Sequence, residues 1–206
     1  MKKIIFTLAL VVVAFVSFTT LQKSEPVTND AQPKSEITYA GNVDVTTSVL
    51  LWKGSKPTGT HNGTVMLKEG SIDVKRGNLK GGTFVIDMST IIETGGGKRL
   101  IKHLSSADFF DVKVFSTSKF VITKVEKKDG KLAVTGDLTI KDVTKSITIP
   151  ANITVDGDVI TFKSETFEVN RAHYNVKYGS KSFFDNLKDK FINDMMEFSF
   201  EVKASK

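Results

Sequence analysis

An antiparallel, up-and-down all-β barrel of about eight strands is the fold class this 206-residue chain predicts. Three observations carry it. Apolar and polar residues alternate over long stretches, which places one face of each strand inside. Asp-Gly signals separate several of these stretches and supply the positive backbone dihedrals that tight hairpins need. Faces such as Leu132 to Ile140 run nine residues, longer than ordinary sandwich strands. Long strands joined by short hairpins suit a closed barrel, which also removes exposed sheet edges.

The chain opens with Lys2 and Lys3, then an apolar run from Ile4 to Phe18 broken only by Thr7 and Ser17. Positive charge followed by a short apolar run predicts a signal peptide over residues 1–20, with an uncleaved anchor as the rival. The expected destination is periplasmic or secreted. With no cysteine, a lipid-modified N-terminal Cys, disulfides and thiolate chemistry are ruled out, so the domain must be stable from its own core. Residues 21–36 are polar, carry Pro26 and Pro33, and read as a linker. Residues 37–206 are expected to form the barrel domain.

Within that domain Val65 and Leu67 alternate with Thr64, Met66 and Lys68. Phe84, Ile86 and Met88 form a second inner face. Leu132, Val134, Gly136, Leu138 and Ile140 form a third, and Ile147, Ile149, Ala151, Ile153 and Val155 a fourth. Phe198, Phe200 and Val202 make the last. Lys128-Asp129-Gly130-Lys131 and Asp156-Gly157-Asp158 read as hairpin turns, and Gly81-Gly82 as a bend or bulge. Lys98 to Leu104, after Gly95-Gly96-Gly97, reads as a short helix across the barrel mouth, with Leu100, Ile101 and Leu104 inward. Asp189 to Met195 is a second candidate turn of helix.

The net charge is +6. Its lysines alternate with apolar residues, the pattern of a solvated strand face rather than a nucleic-acid groove. A weak, transient attraction to anionic membrane surfaces stays open. His61, His103 and His173 are far apart and lack metal-ligand spacing, and no nucleophile elbow, Walker loop or dinucleotide fingerprint occurs. No catalytic residue, metal site or cofactor is therefore expected. Asp108 and Asp111 are expected to fix turns through their side chains, and Trp52 to close the barrel base or touch a ligand. A dimer through an exposed strand or the N-terminal arm is neither required nor excluded.

Fifteen Phe stand against three Tyr and one Trp. An excess of Phe without polar handles suits an apolar cavity wall, with a packed core as the plainer reading. Phe-Phe-Asp occurs twice, at Phe109-Phe110-Asp111 and Phe183-Phe184-Asp185. Two adjacent aromatics cannot both enter a core from one strand face, so each copy is expected on a loop near an apolar interior.

Two segments carry a family resemblance. His103-Leu104-Ser105-Ser106-Ala107-Asp108-Phe109-Phe110-Asp111-Val112 resembles the HL-x-S-x-DFFDV segment of the YceI-like family. Val134 to Lys145 resembles its G-x-LTI-x-G-VTK segment, with Asp142 where the family usually has Gly. Gly81 to Met88 is similar in kind, and Ser182 to Leu187 resembles the version common in Bacteroidetes-type members. The Gly95-Gly96-Gly97 stretch looks shorter than the loop many members carry. The resemblance implies a lipocalin-like barrel exported from bacteria, without established enzymatic activity. Its interior would hold a polyisoprenoid, an isoprenoid quinone or a fatty-acid derivative. Combined with the alternation, it places the tail along Phe84, Ile86, Met88, Phe120, Ile122, Leu138, Ile140, Phe198 and Phe200. The mouth would be closed by Leu104, Phe109, Phe110, Phe183 and Phe184.

Overall fold

A computed structural model describes residues 38–205. The expected signal peptide and polar linker lie outside the described residues. Ten strands follow the alternation: β1 (Thr38–Val43), β2 (Val49–Lys56), β3 (Gly59–Lys75), β4 (Asn78–Glu93), β5 (Thr117–Lys128), β6 (Lys131–Ile140), β7 (Val143–Asp156), β8 (Val159–Ser164), β9 (Phe167–Asn170) and β10 (Met195–Ser205). A single α-helix among the described residues, α1 (Lys98–Leu104), spans the segment expected from sequence.

Strands β2 to β8 pair each with the next, and β10 pairs with both β8 and β2, which closes a ring of eight positions. The two extra strands do not widen the ring. β1 and β2 both pair antiparallel with β3 and β10, at successive registers, so they are one broken strand. The break is a turn in which the Asp44 carboxylate accepts from the Thr46 hydroxyl (2.6 Å) and amide (2.9 Å). The Thr46 hydroxyl first, then the Thr47 hydroxyl and the Thr46 amide, hold the Asp44 pKa down at about 2. β9 is a short strand on the start of β10.

Tight turns set the register. Arg76-Gly77, Asp129-Gly130 and Lys141-Asp142 each place two consecutive residues at positive φ between paired strands. That geometry matches the twist of the flanking strands. At Lys141-Asp142 neither residue is Gly; Asp142 takes φ 58°, a conformation that Asp tolerates better than most residues. The next hairpin uses Gly157 (φ 57°) and Asp158 between Asp156 and Val159.

Irregularities re-aim side chains. Before Gly81-Gly82 the β3–β4 register shifts between Asp73 and Val74, the bulge expected there. A larger one spans Met88 to Ile91 on β4, opposite Val65. It is pinned by Ser89 on the Asp87 carboxylate and by Thr90, whose hydroxyl accepts from the Met66 amide at 2.8 Å. Met88 and Ile91 are consequently both buried, although three residues apart, which strict alternation forbids.

Alternate turns of an up-and-down ring lie at opposite ends. One end holds the short hairpins at 76–77, 129–130 and 157–158; Ile72, Val74, Val134 and Ile160 are fully buried. The other end holds α1, the residue 105–116 loop and the long connection from β8 to β10. In that connection the expected helical turn at Asp189–Met195 is reduced to a 3-10 turn at Lys188–Lys190, because Met195 already belongs to β10. A second 3-10 turn, Arg171–Tyr174, is capped by the Asn170 side chain on the Ala172 amide.

Candidate functional site

At the helix end the interior opens into a cavity of about 130 Å³. All eight ring positions, β9, α1 and the first Phe-Phe-Asp loop contribute to its wall of 24 residues. Seven of these are Phe, and Ser118 is the one side chain among them with an oxygen atom. That hydroxyl donates to the Met88 sulfur at 3.2 Å, so the wall offers a ligand almost nothing polar.

Strand pairing explains the clustering. Phe84, Phe120 and Leu138 are register partners across β4, β5 and β6. Phe84 stacks on Phe162 (5.7 Å between centroids), Phe162 meets Phe200 (4.9 Å), and Phe167 lies against both Phe198 (6.0 Å) and Phe200 (6.2 Å). Two glycines make room. A methyl at Gly136 would lie 2.4 Å from the Phe120 ring, and one at Gly63 only 1.8 Å from the Ile92 carbonyl. Trp52 lines the cavity and donates its indole N–H to that same carbonyl at 3.2 Å.

Ten of the fourteen residues expected at the site line the cavity: Phe84, Ile86, Met88, Leu104, Phe110, Phe120, Leu138, Ile140, Phe198 and Phe200. The other four do not. Ile122 is buried and pairs with Gly136, but it is not among the residues that line the cavity. Phe109 is buried one layer behind the wall. Its ring contacts Phe110 (5.4 Å), His103 (5.7 Å) and Tyr178 (6.4 Å), with the Arg171 guanidinium 5.4 Å above it. Phe183 and Phe184 are 42 and 49 % exposed. The amides of both bond the Ser180 carbonyl, so this copy curls on itself, and Leu104 and Phe110 already occupy the mouth.

The first loop is fixed by its main chain. Phe110, Asp111 and Val112 amides donate to Leu104, Ser106 and Ser105 carbonyls, and the Asp111 carbonyl accepts from Val114 and Phe115. Asp111 contributes positive φ (50°) rather than the side-chain cap expected of it. Asp108 is likewise not a cap: its carboxylate faces His103 Nε2 at 3.9 Å and is two-thirds exposed. The His103 ring packs edge-on against Tyr178 at 4.4 Å and does not reach the cavity wall.

Sequence reasoning passed over Phe162, Phe167 and Ile91. Phe162 had a signal, since Ile160, Phe162 and Ser164 alternate with Thr161 and Lys163. β9 is too short to show a period, and Ile91 reaches the wall only through the bulge. It also missed Arg171, which is 2 % exposed and braces the mouth. Its guanidinium donates to the carbonyls of Val176, Tyr178, Ile192 and Asn193 at 2.8–3.1 Å. Asp194 stands 3.2 Å away with Oδ1 facing it out of hydrogen-bond alignment, while Oδ2 accepts from Ser180 and Ser182.

A model of the YceI-like domain matches residues 20–204. The chain belongs to the YceI-like family. Segments of it are similar to a UPF0312 protein of Vibrio vulnificus, 53 % identical over 57 residues, 27 % of this chain and 30 % of the relative. Protein YceI of Escherichia coli O157:H7 is 39 % identical over 70 residues, 34 % of this chain and 36 % of the relative. The aligned segments thus span about a third of these relatives' length. Among solved structures, BcnA of Burkholderia cenocepacia superposes with a TM-score of 0.59 at 21 % identity, over 79 % of this chain and 99 % of that one. A polyisoprenoid binding domain from Saccharophagus degradans superposes at 0.58 and 15 % identity, over 80 and 97 %. At those identities the likeness is one of fold: this YceI-like barrel has the architecture of both.

Proposed function

We propose that this YceI-like barrel binds one long apolar chain of a lipid, with the tail along the Phe-rich wall and any polar group at the helix end. The observation that carries this reading is the wall itself: 24 lining residues in which the only hydroxyl is engaged by Met88. Such a wall rewards hydrocarbon and penalises a buried headgroup. Each buried methylene contributes about 0.8 kcal/mol, so a tail of about a dozen carbons binds with few polar contacts and with loose headgroup specificity. The Saccharophagus domain is named for polyisoprenoid binding, which supports a polyisoprenoid or isoprenoid quinone beside a fatty-acid derivative. We read the protein as a carrier rather than an enzyme, because the wall contains no acid, no base and no free nucleophile.

Volume sets a condition. A cavity of about 130 Å³ compares with the roughly 150 Å³ that takes up benzene. A long tail enters only if Phe side chains change rotamer and Leu104 and Phe110 give way at the mouth. The same volume favours one second reading, a barrel whose core is essentially filled and whose role is structural.

We further propose that the domain acts after export, to the periplasm or outside the cell; Lys2, Lys3 and the run Ile4 to Phe18 support this. Sequencing the N-terminus of the protein from its own host tests it, and an unprocessed chain in the cytoplasm refutes it. The Ser182 to Leu187 segment supports a Bacteroidetes-type placement, which a phylogeny grouping the chain elsewhere would overturn. Trp52 is the one tryptophan and lies in the wall, so it reports on filling. Titration with a bromine-labelled fatty acid should quench its emission saturably, and an unlabelled isoprenoid alcohol should reverse the quenching. Unchanged Trp52 emission would favour the filled barrel.

A further inference from the structure

The second Phe-Phe-Asp copy has no part in the cavity, yet its surroundings are not those of a stray exposed residue. Single exposed apolar side chains need no explanation, but here Phe183 and Phe184 are adjacent on a braced turn, with Tyr178 46 % exposed nearby in sequence. The turn is held by Ser180 and Ser182 on Asp194, and through Asp194 and the Tyr178 carbonyl by buried Arg171. Tyr178 also joins it to α1, through the ring contact with His103.

The charge around these rings is positive in sum. Lys177, Lys181, Lys188 and Lys190 lie on this segment against Asp185 and Asp189, and exposed Lys98, Arg99 and Lys102 lie on α1 without an acid. The adjoining loop adds Asp108, Asp111 and Lys113, which leaves the excess positive. Two lysines lie over aromatic rings, Lys177 at 5.0 Å from the Phe183 centroid and Lys181 at 3.5 Å from Phe191. A phenyl ring with an ammonium at its face suits a lipid headgroup region, where the ring descends and the ammonium meets phosphate.

We propose that the segment Lys177–Phe191 is a docking surface for anionic lipid bilayers, set beside the helix that covers the cavity mouth. Charge complementarity favours this occupant over a second copy of the chain, because an interface between two such patches would oppose lysine to lysine. A bilayer with anionic headgroups attracts these lysines at low salt and takes up the phenyl rings. The surface faces the same end of the barrel as the cavity, but the inference does not depend on what the cavity holds.

The test places a reporter at the tip. The full chain carrying Phe184→Trp is compared with its parent by difference emission, because Trp52 and residues 4–18 are common to both. Vesicles are phosphatidylcholine alone, or with an equal part of phosphatidylglycerol, each with and without bromine-labelled lipid. The expected result is a blue shift and bromine quenching at position 184 on the anionic vesicles, weakened by salt. Adding Lys177→Glu and Lys181→Glu should weaken it tenfold or more, with an unchanged circular dichroism spectrum. The proposal is overturned if position 184 keeps its emission while the protein binds anionic vesicles elsewhere. It is also overturned if neutral vesicles act equally, or if the shift appears without lipid and grows with protein concentration, the mark of a second copy. None of these results bears on Trp52 quenching by a fatty acid, so this surface and the carrier reading fail separately.

Discussion

Lys141 donates a hydrogen bond from Nζ to the Phe109 carbonyl at 2.8 Å. This joins the β6–β7 turn to the first Phe-Phe-Asp loop, and so connects the two segments that carry the family resemblance. The same ammonium lies 5.9 Å from the Phe115 ring. Lys141→Met keeps the stem and removes the donor. We expect a loss of about 1–2 kcal/mol in urea unfolding. Amide exchange should rise in residues 105–116 and stay unchanged in the hairpin at Asp129-Gly130.

Gly136 is where backbone space sets cavity shape. An added methyl meets the Phe120 ring at 2.4 Å and the Val121 carbonyl at 2.6 Å. Gly136→Ala should therefore push Phe120 off its place in the wall, at an overpacking cost of about 1–3 kcal/mol. Quenching of Trp52 by a bromine-labelled fatty acid should then need a higher ligand concentration. Gly130→Ala, in open space at φ 78°, should lower stability through backbone strain while leaving the quenching midpoint unchanged.

Arg171 is the mouth's internal brace. Burial pulls its pKa down, and the Asp194 charge works against that pull. Arg171→Met would strand four carbonyls and leave Asp194 unpaired, which should cost about 3–5 kcal/mol. Arg171→Lys should restore little, because an ammonium cannot reproduce the planar fork of donors. The double variant Arg171→Met, Asp194→Asn should recover part of the loss. Chemical unfolding of the four proteins checks this.

Glu93 caps the glycine stretch before α1. Its carboxylate accepts from the Gly97 amide at 2.8 Å and faces His61 Nδ1 at 3.3 Å. The Gly97 bond first, and His61 second, hold its pKa below the ordinary carboxylate value of 4.5. Since the folded pKa is the lower one, the stabilisation is fully present above the unfolded value and is lost as pH falls through the folded value. Hydrogen exchange in α1, corrected for intrinsic rates, should be flat at neutral pH and accelerate only at acid pH. Glu93→Gln should remove that pH dependence.

The barrel was legible because period-two alternation is a local signal, and Leu132 to Ile140 or Phe198 to Val202 needs no long-range information to be placed. α1 was legible from an equally local signal, the helical spacing that puts Leu100, Ile101 and Leu104 on one side. The parts that resisted reading depend on contacts distant in sequence. The β4 bulge that turns Ile91 inward relies on Met66 reaching Thr90, and Arg171 serves carbonyls up to 22 residues away. The two Phe-Phe-Asp copies read alike but differ in fate. In one, Leu104 leads the chain into the mouth; in the other, Ser180 and Asp194 fold it back on itself.

Native mass spectrometry of the protein purified from its own host, with organic extraction of the same sample, tests the carrier reading most directly. We expect a one-to-one adduct whose extracted species carries a long polyisoprenoid or acyl chain. That chain should be lost when Phe84 and Phe120, both in the wall, are replaced by serine in a protein that still folds. A folded protein that carries no lipid, and whose Trp52 emission answers to neither isoprenoids nor fatty acyl chains, would contradict the account.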